Sequence, residues 1–180
     1  MGTYAELETI DISAEIERCF DDSSIAHGGQ PELVLITGGV AVGKSRMRRA
    51  RYAHGYVNLD AGDIFIRLSR GHYIDFPSFL EEPMDMIGQM VASQAVQERH
   101  NIVCELVGAE FEPMKKLIET YRALEYKTTV VGVTADLEQS LLWNQQRSDD
   151  NISAYYAEPF HHRWLLSAAA AGQEGSGVVS

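Results

Sequence analysis

Apolar positions along the chain fall into two alternating kinds of run. Leu33-Val34-Leu35-Ile36 is continuous and too short for a helix, which suits a parallel strand covered on both faces. Tyr56 to Leu59, Ile102-Val103-Cys104 and Thr128 to Val133 are further short runs, the last β-branched except at Gly132. Elsewhere the spacing turns helical. Asp11 to Phe20 carries Ile12, Ile16 and Cys19/Phe20 on one face, with Asp11 or Ser13 as cap. Helices are also predicted from Lys44 to about Ala53, Met84 to Arg99, Pro113 to Leu124, Leu137 to Arg147 and Pro159 to Ala171, the last opened by a proline suited to a first turn. Strands alternating with helices predict an α/β layered fold with a mainly parallel sheet of four strands, and Val178-Val179 offers the start of a fifth.

This pattern divides the chain into three parts. Residues 1–31 hold the first helix and a turn-rich connection, residues 32–171 the main domain, and residues 172–180 a Gly/Ser-rich flexible tail. A length of 180 residues is that of one domain. With 45% hydrophobic residues the chain has material for an apolar core.

Charge narrows the function. Fifteen Lys and Arg stand against 26 Asp and Glu, a net charge of -11, which repels phosphate backbones and makes nucleic acid an unfavourable partner. Two cysteines, Cys19 and Cys104, are too few for a disulfide framework and fit a reducing compartment. The amino terminus lacks a basic stretch followed by an apolar one, and no apolar run reaches the roughly 18 residues of a membrane span. The expectation is a soluble cytoplasmic protein without membrane contact.

The strongest chemical signal is Gly38-Gly39-Val40-Ala41-Val42-Gly43-Lys44-Ser45, which fits G-x-x-x-x-G-K-[ST] between a predicted strand and a predicted helix. Glycines let successive backbone N–H groups turn toward phosphate oxygens, and the helix amino terminus adds a favourable dipole. Lys44 is then placed to reach the β- and γ-phosphates, and Ser45 to ligate magnesium. Arg46, Arg48, Arg49 and Arg51 crowd the following helix; Arg46 or Arg49 can face phosphate, while the run as a whole reads as a solvated face. Position 40 is Val, so the dinucleotide fingerprint fails, and the absence of an N-K-x-D motif excludes a guanine switch.

Carboxylates follow the predicted strand ends, where open parallel sheets collect ligands. Asp63 is the candidate base that takes a proton from an acceptor hydroxyl; Asp60 either contacts substrate or caps the next helix. Glu105 can touch substrate or a magnesium-bound water, or can be a strand-end acid in solvent, and Glu110 and Glu112 are weaker candidates. Arg147 and Arg163, the only Lys or Arg beyond Lys127, flank a polar 148–158 segment as a mobile lid would need, with Arg147 alternatively a solvated helix-end residue. His161 and His162 are adjacent, so they do not share a helix face as metal ligands, and Met84, Met86 and Met90 read as packing residues.

With these residues in place, Glu32 to Leu166 resembles the zeta-toxin group of P-loop kinases. The similarity lies in GGVAVGKS, in LDAGDIF after the second strand, in the Glu of NIVCE, and in an arginine-bearing lid after VVGVTAD. The resemblance implies a three-layer P-loop NTPase fold with a helical lid, binding of ATP and Mg2+, and phosphorylation of the 3′-hydroxyl of an amino sugar in a UDP-linked peptidoglycan precursor. It also implies an antitoxin that blocks the nucleotide site. On it, Lys44 and Ser45 serve nucleotide and magnesium, Asp63 is the base, Glu105 touches substrate, and Arg147 and Arg163 are lid arginines. The turn LDAGD is one residue longer than the family's Asp-x-Asp, so the choice between Asp60 and Asp63 stays open. The expected function is a small ATP-dependent kinase acting on a small-molecule hydroxyl; an ATP-binding regulatory protein and a polynucleotide 5′-kinase-like enzyme are the alternatives.

Overall fold

The structure is a computed structural model that describes residues 10–26, 28–69, 78–106, 111–146 and 159–176. The continuous apolar run at Leu33 to Ile36 becomes the inner strand β1 (Glu32–Thr37), and those four residues have no exposed surface. Its neighbours are β3 (Ile102–Leu106) and β4 (Lys127–Gly132), with Leu35 opposite both Cys104 and Val130. The short β2 (Val57–Asn58) pairs with β3 on the far side, so the order is β2-β3-β1-β4 and every pairing is parallel.

Parallel neighbours need crossover segments, and helices supply them. They are α1 (Ile12–Phe20), α2 (Lys44–Arg51), α3 (Ala61–Ser69), α4 (Glu81–Gln97, entered through a 3-10 turn at Ser78–Leu80), α5 (Phe111–Ala123), α6 (Leu137–Gln145) and α7 (Pro159–Ser176). Side chains alternate across a strand, so Leu33 and Leu35 face one way and Val34 and Ile36 the other. Leu33 and Leu35 join the main core with α1, α3, α4, α5 and α7, while Val34, Ile36 and Val103 pack on Met47 and Tyr52 from the α2 side. The result is the expected α/β fold, a parallel four-stranded sheet between helical layers. No described helix is long and apolar enough to cross a membrane.

Boundaries differ from expectation where tertiary contacts override local pattern. The strand expected from Tyr56 to Leu59 shortens to two residues, Leu59 keeping one bond from its amide to the Val103 carbonyl at 3.0 Å before α3 begins at Ala61. The third strand runs on to Leu106, which makes Glu105 a buried strand residue and not a solvent-facing end. Asp11, not Ser13, caps α1, accepting a hydrogen bond from the Ala14 amide at 3.0 Å. The last helix continues to Ser176, into the segment read as a tail. Gly172 lets it do so: a Cβ there would lie 2.8 Å from Val96 of α4. The Val178-Val179 strand and the 148–158 segment lie outside the described residues.

α4 and α7 pack tightly at Gly88, where a Cβ would stand 2.1 Å from the fully buried Trp164 ring. Helix α4 also holds Trp164 by a polar contact, the indole N–H donating to Asp85 at 2.7 Å. Ala is favoured over Gly in a helix by about 1 kcal/mol. Overpacking a rigid ring costs about 1–3 kcal/mol or more, so packing wins. Gly88→Ala is therefore expected to lower unfolding free energy by about 2 kcal/mol, measured by urea denaturation.

Candidate active site

The glycine loop is shaped where β1 ends. Gly38 has φ 154°, and a Cβ on it would sit 2.3 Å from the Val133 carbonyl oxygen, so only glycine lets the chain leave β1 so close to the end of β4. Ala41 and Gly43 also have positive φ, 59° and 97°, and an L-residue held there stores about 1 kcal/mol of strain of the kind found at ligand sites. Lys44 curls back over the loop, its Nζ donating to the carbonyls of Gly38 and Gly39, both at 2.9 Å. This keeps the ammonium above the turn.

Sequence patterning missed the residue that organises the site. Arg48, expected on a solvated arginine face, is buried beneath the loop. Its Nε donates to Glu105 Oε1 at 2.7 Å, its Nη2 donates to Asp63 Oδ2 at 2.7 Å, and Asp60 Oδ2 lies 3.8 Å away. Burial opposes the charge of Arg48, but Asp63, Asp60 and Glu105 overcome it and raise its pKa. Four residues on, Arg48 sits one turn beyond Lys44 on the same face. The available signal was the count of acids, since Asp60, Asp63 and Glu105 need a buried cation.

Each carboxylate is differently held. Asp60 is at the amino terminus of α3, and its Oδ1 accepts from the Asp63 amide at 3.0 Å, the capping arrangement considered for it. Asp63 also accepts from Asn58 Nδ2 at 3.0 Å, and its side chain keeps 30% of its surface exposed, whereas those of Asp60 and Glu105 keep 10% and 8%. Asp63 is thus the carboxylate of the three that an incoming group reaches. Glu105 Oε2 accepts from the Ser45 hydroxyl at 2.8 Å. Burial, and then the charge of Asp60, push the Glu105 carboxyl above its ordinary range despite Arg48.

These groups line one open cleft of about 830 Å3, together with Arg46, Arg49, Trp143 and His161. His161 is buried, and its Nε2 accepts from the Ala61 amide at 2.5 Å, joining α7 to the start of α3. Burial lowers its pKa, which keeps the ring neutral. Arg163 is not brought to the cleft: it pairs with Asp85 of α4, and its guanidinium lies over the Phe160 ring at 4.8 Å. Position 163 falls on the outer side of α7, while 161 falls on the inner. Arg147 and Glu110 lie outside the described residues; Glu112 is exposed in the first turn of α5.

The oxygen pair formed by Ser45 and Glu105 fits a hard divalent cation. Among the described residues no group of three or more His, Cys, Asp or Glu could hold a metal alone.

A carboxyl with a raised folded-state pKa binds its proton more tightly in the native than in the unfolded chain. Its contribution to stability is present at low pH and lost as pH rises through the raised value. Glu105→Gln removes that loss, so the variant is expected to gain stability relative to the wild type as pH rises above the ordinary glutamate range, measured by denaturant unfolding at each pH.

The zeta-toxin family model matches residues 16–164, which include the loop, Arg48, Asp60, Asp63 and Glu105. No curated protein matches the chain. The fold is similar to that of a structure from the PezAT chromosomal toxin-antitoxin system of the human pathogen Streptococcus pneumoniae, with a TM-score of 0.60 and 16% identity over 98% of this chain and 75% of that one. It is also similar to a chain of the Pnkp1/Rnl/Hen1 RNA repair complex, with a TM-score of 0.52 and 14% identity over 78% of this chain and 46% of that one. At these identities the likeness is one of fold, and it agrees with the P-loop kinase-like arrangement of sheet, loop and helices. By its match over most of its length, the chain belongs to the zeta-toxin family.

Proposed function

We propose that the protein is a magnesium-dependent kinase that moves the γ-phosphoryl group of ATP to a hydroxyl of a small molecule. The observation that carries this reading is the partly exposed Asp63 carboxylate, held by Arg48 in the same cleft as the glycine loop, Lys44 and Ser45. Backbone N–H groups of residues 38–45 cradle the phosphates, and a triphosphate offers Lys44 stronger acceptors than the two carbonyls it now holds. Ser45 and Glu105 would hold the magnesium ion, which when bound would neutralise charge on the transferring phosphates.

Asp63 orients the acceptor hydroxyl and takes its proton as the new P–O bond forms. Arg48 fixes the direction of Asp63 through the 2.7 Å ion pair. Asp60 holds the first turn of α3, and with it the position of Asp63. The acceptor lies on the α3 side of the cleft, and a nucleotide-linked amino sugar is the candidate that the family resemblance supplies. Arg147 is proposed as a lid cation; Arg163 pairs with Asp85 outside the cleft in this structure. PezAT is a toxin-antitoxin system, and a protein partner that covers the cleft is proposed for this chain on that likeness. The two buried free cysteines favour a reducing cytoplasm.

The test is ADP release from magnesium-ATP against a panel of hydroxyl acceptors: UDP-N-acetylglucosamine, nucleosides, small sugars and a 5′-hydroxyl oligonucleotide. One acceptor is expected to stimulate release, and Lys44→Ala to abolish it. Asp63→Asn is expected to slow transfer by about 100-fold to 10,000-fold while ATP affinity stays near that of the wild type. Binding of ATP without turnover on any acceptor contradicts the kinase reading.

A further inference from the structure

Trp143 is an exposed aromatic residue that the fold does not use. It lies near the end of α6, keeps 38% of its surface exposed, and belongs to neither core cluster. Its helix buries only Ser140 among the described residues, so α6 is held chiefly by its cap, where Asp136 accepts from the amides of Glu138 and Gln139 at 2.9 and 3.3 Å. Trp143 nonetheless lines the cleft, together with Arg46 and Arg49 of α2. Neither arginine makes an ion pair with a described residue, and both are exposed.

Topology says which part of a ligand arrives there. In the order β2-β3-β1-β4, Asp60 and Asp63 follow β2 and Glu105 is on β3, while the phosphate loop follows β1 and α6 follows β4. The acids therefore stand on one side of the loop and Trp143 on the other. Phosphoryl transfer places the attacking and leaving oxygens roughly in line across the γ-phosphorus. If the acceptor hydroxyl approaches from the acids, the rest of the donor leaves toward β4, and what it carries beyond its phosphates meets Trp143.

We propose that Trp143 is the stacking platform for the nucleobase of the phosphoryl donor, with the α2 surface at Arg46 and Arg49 forming the opposite wall. An indole face in open solvent gains from covering a flat aromatic ring, and arginine planes stack on such rings as readily as on aromatic side chains. This proposal rests on the kinase reading for its donor. Because every base has a π-face, the slot accepts purines generally and does not read their hydrogen-bonding edges through Trp143.

The experiment compares magnesium-ATP with magnesium tripolyphosphate, which has the phosphates and no base, by titration of intrinsic fluorescence and by calorimetry. The chain has two tryptophans, and Trp164 is fully buried, so a ligand-dependent change in the exposed emission reports Trp143. ATP is expected to quench that emission and tripolyphosphate to leave it unchanged. Trp143→Ala is expected to weaken ATP about tenfold, Trp143→Phe to restore most of the affinity, and neither to alter tripolyphosphate binding. Equal weakening of both ligands, or wild-type ATP affinity in Trp143→Ala, overturns the platform while leaving the kinase reading intact. Failure of the wild type to bind either ligand more tightly than Lys44→Ala overturns the kinase reading itself.

Discussion

One buried guanidinium holds the centre of this molecule together. Arg48 leaves α2 beneath the glycine loop and joins Glu105 of β3 to Asp63 of α3, with Asp60 within ion-pair distance. Two carboxylates this deeply covered, with a third half-open beside them, would repel one another and shed their charges without a cation among them. The pairing thus places a positive charge among the acids and fixes three separate elements, the loop helix, the middle strand and the helix after β2, in one arrangement. A pair of this kind contributes less to net stability than to uniqueness of geometry, because desolvation offsets much of the attraction.

That arrangement also explains how an acidic protein can hold a polyphosphate. Net charge is -11 over the chain, but Lys44, Arg46, Arg49 and Arg51 all line the cleft, and the acids nearest to them are already engaged by Arg48 or by Ser45. Local potential, not the total, decides what enters. The sequence reading took the arginine run as a solvated face. Three of its members do face outward, and they do so into the cleft.

The phosphate loop was fully legible because its chemistry is local: glycines, lysine and serine in eight consecutive positions between a strand and a helix. The strands and most helices were legible from periodicity for the same reason. Arg48 was not, because its burial depends on β3 lying next to β1, which places Glu105 beside a residue 57 positions earlier in sequence. Glu105 was seen as a strand-end acid, and the added strand residue that buries it comes from pairing with Thr37 through Leu106. Arg163 stands away from the cleft in this structure because Asp85, 78 positions away, pairs with it on the outer side of α7. Trp143 gave no local sign at all; its place follows from β4 being the far neighbour of β1.

Arg48 is required because of the carboxylates around it, and unfolding free energies in a mutant cycle test that dependence directly. Arg48→Met is made in the wild-type chain and in a chain with Asp60→Asn, Asp63→Asn and Glu105→Gln, and all four proteins are unfolded in urea. Removing Arg48 from the wild type is expected to cost about 3–5 kcal/mol, and removing it from the triple-amide chain only a small fraction of that. Equal losses in the two backgrounds would show that Arg48 acts through packing alone and would contradict the claim.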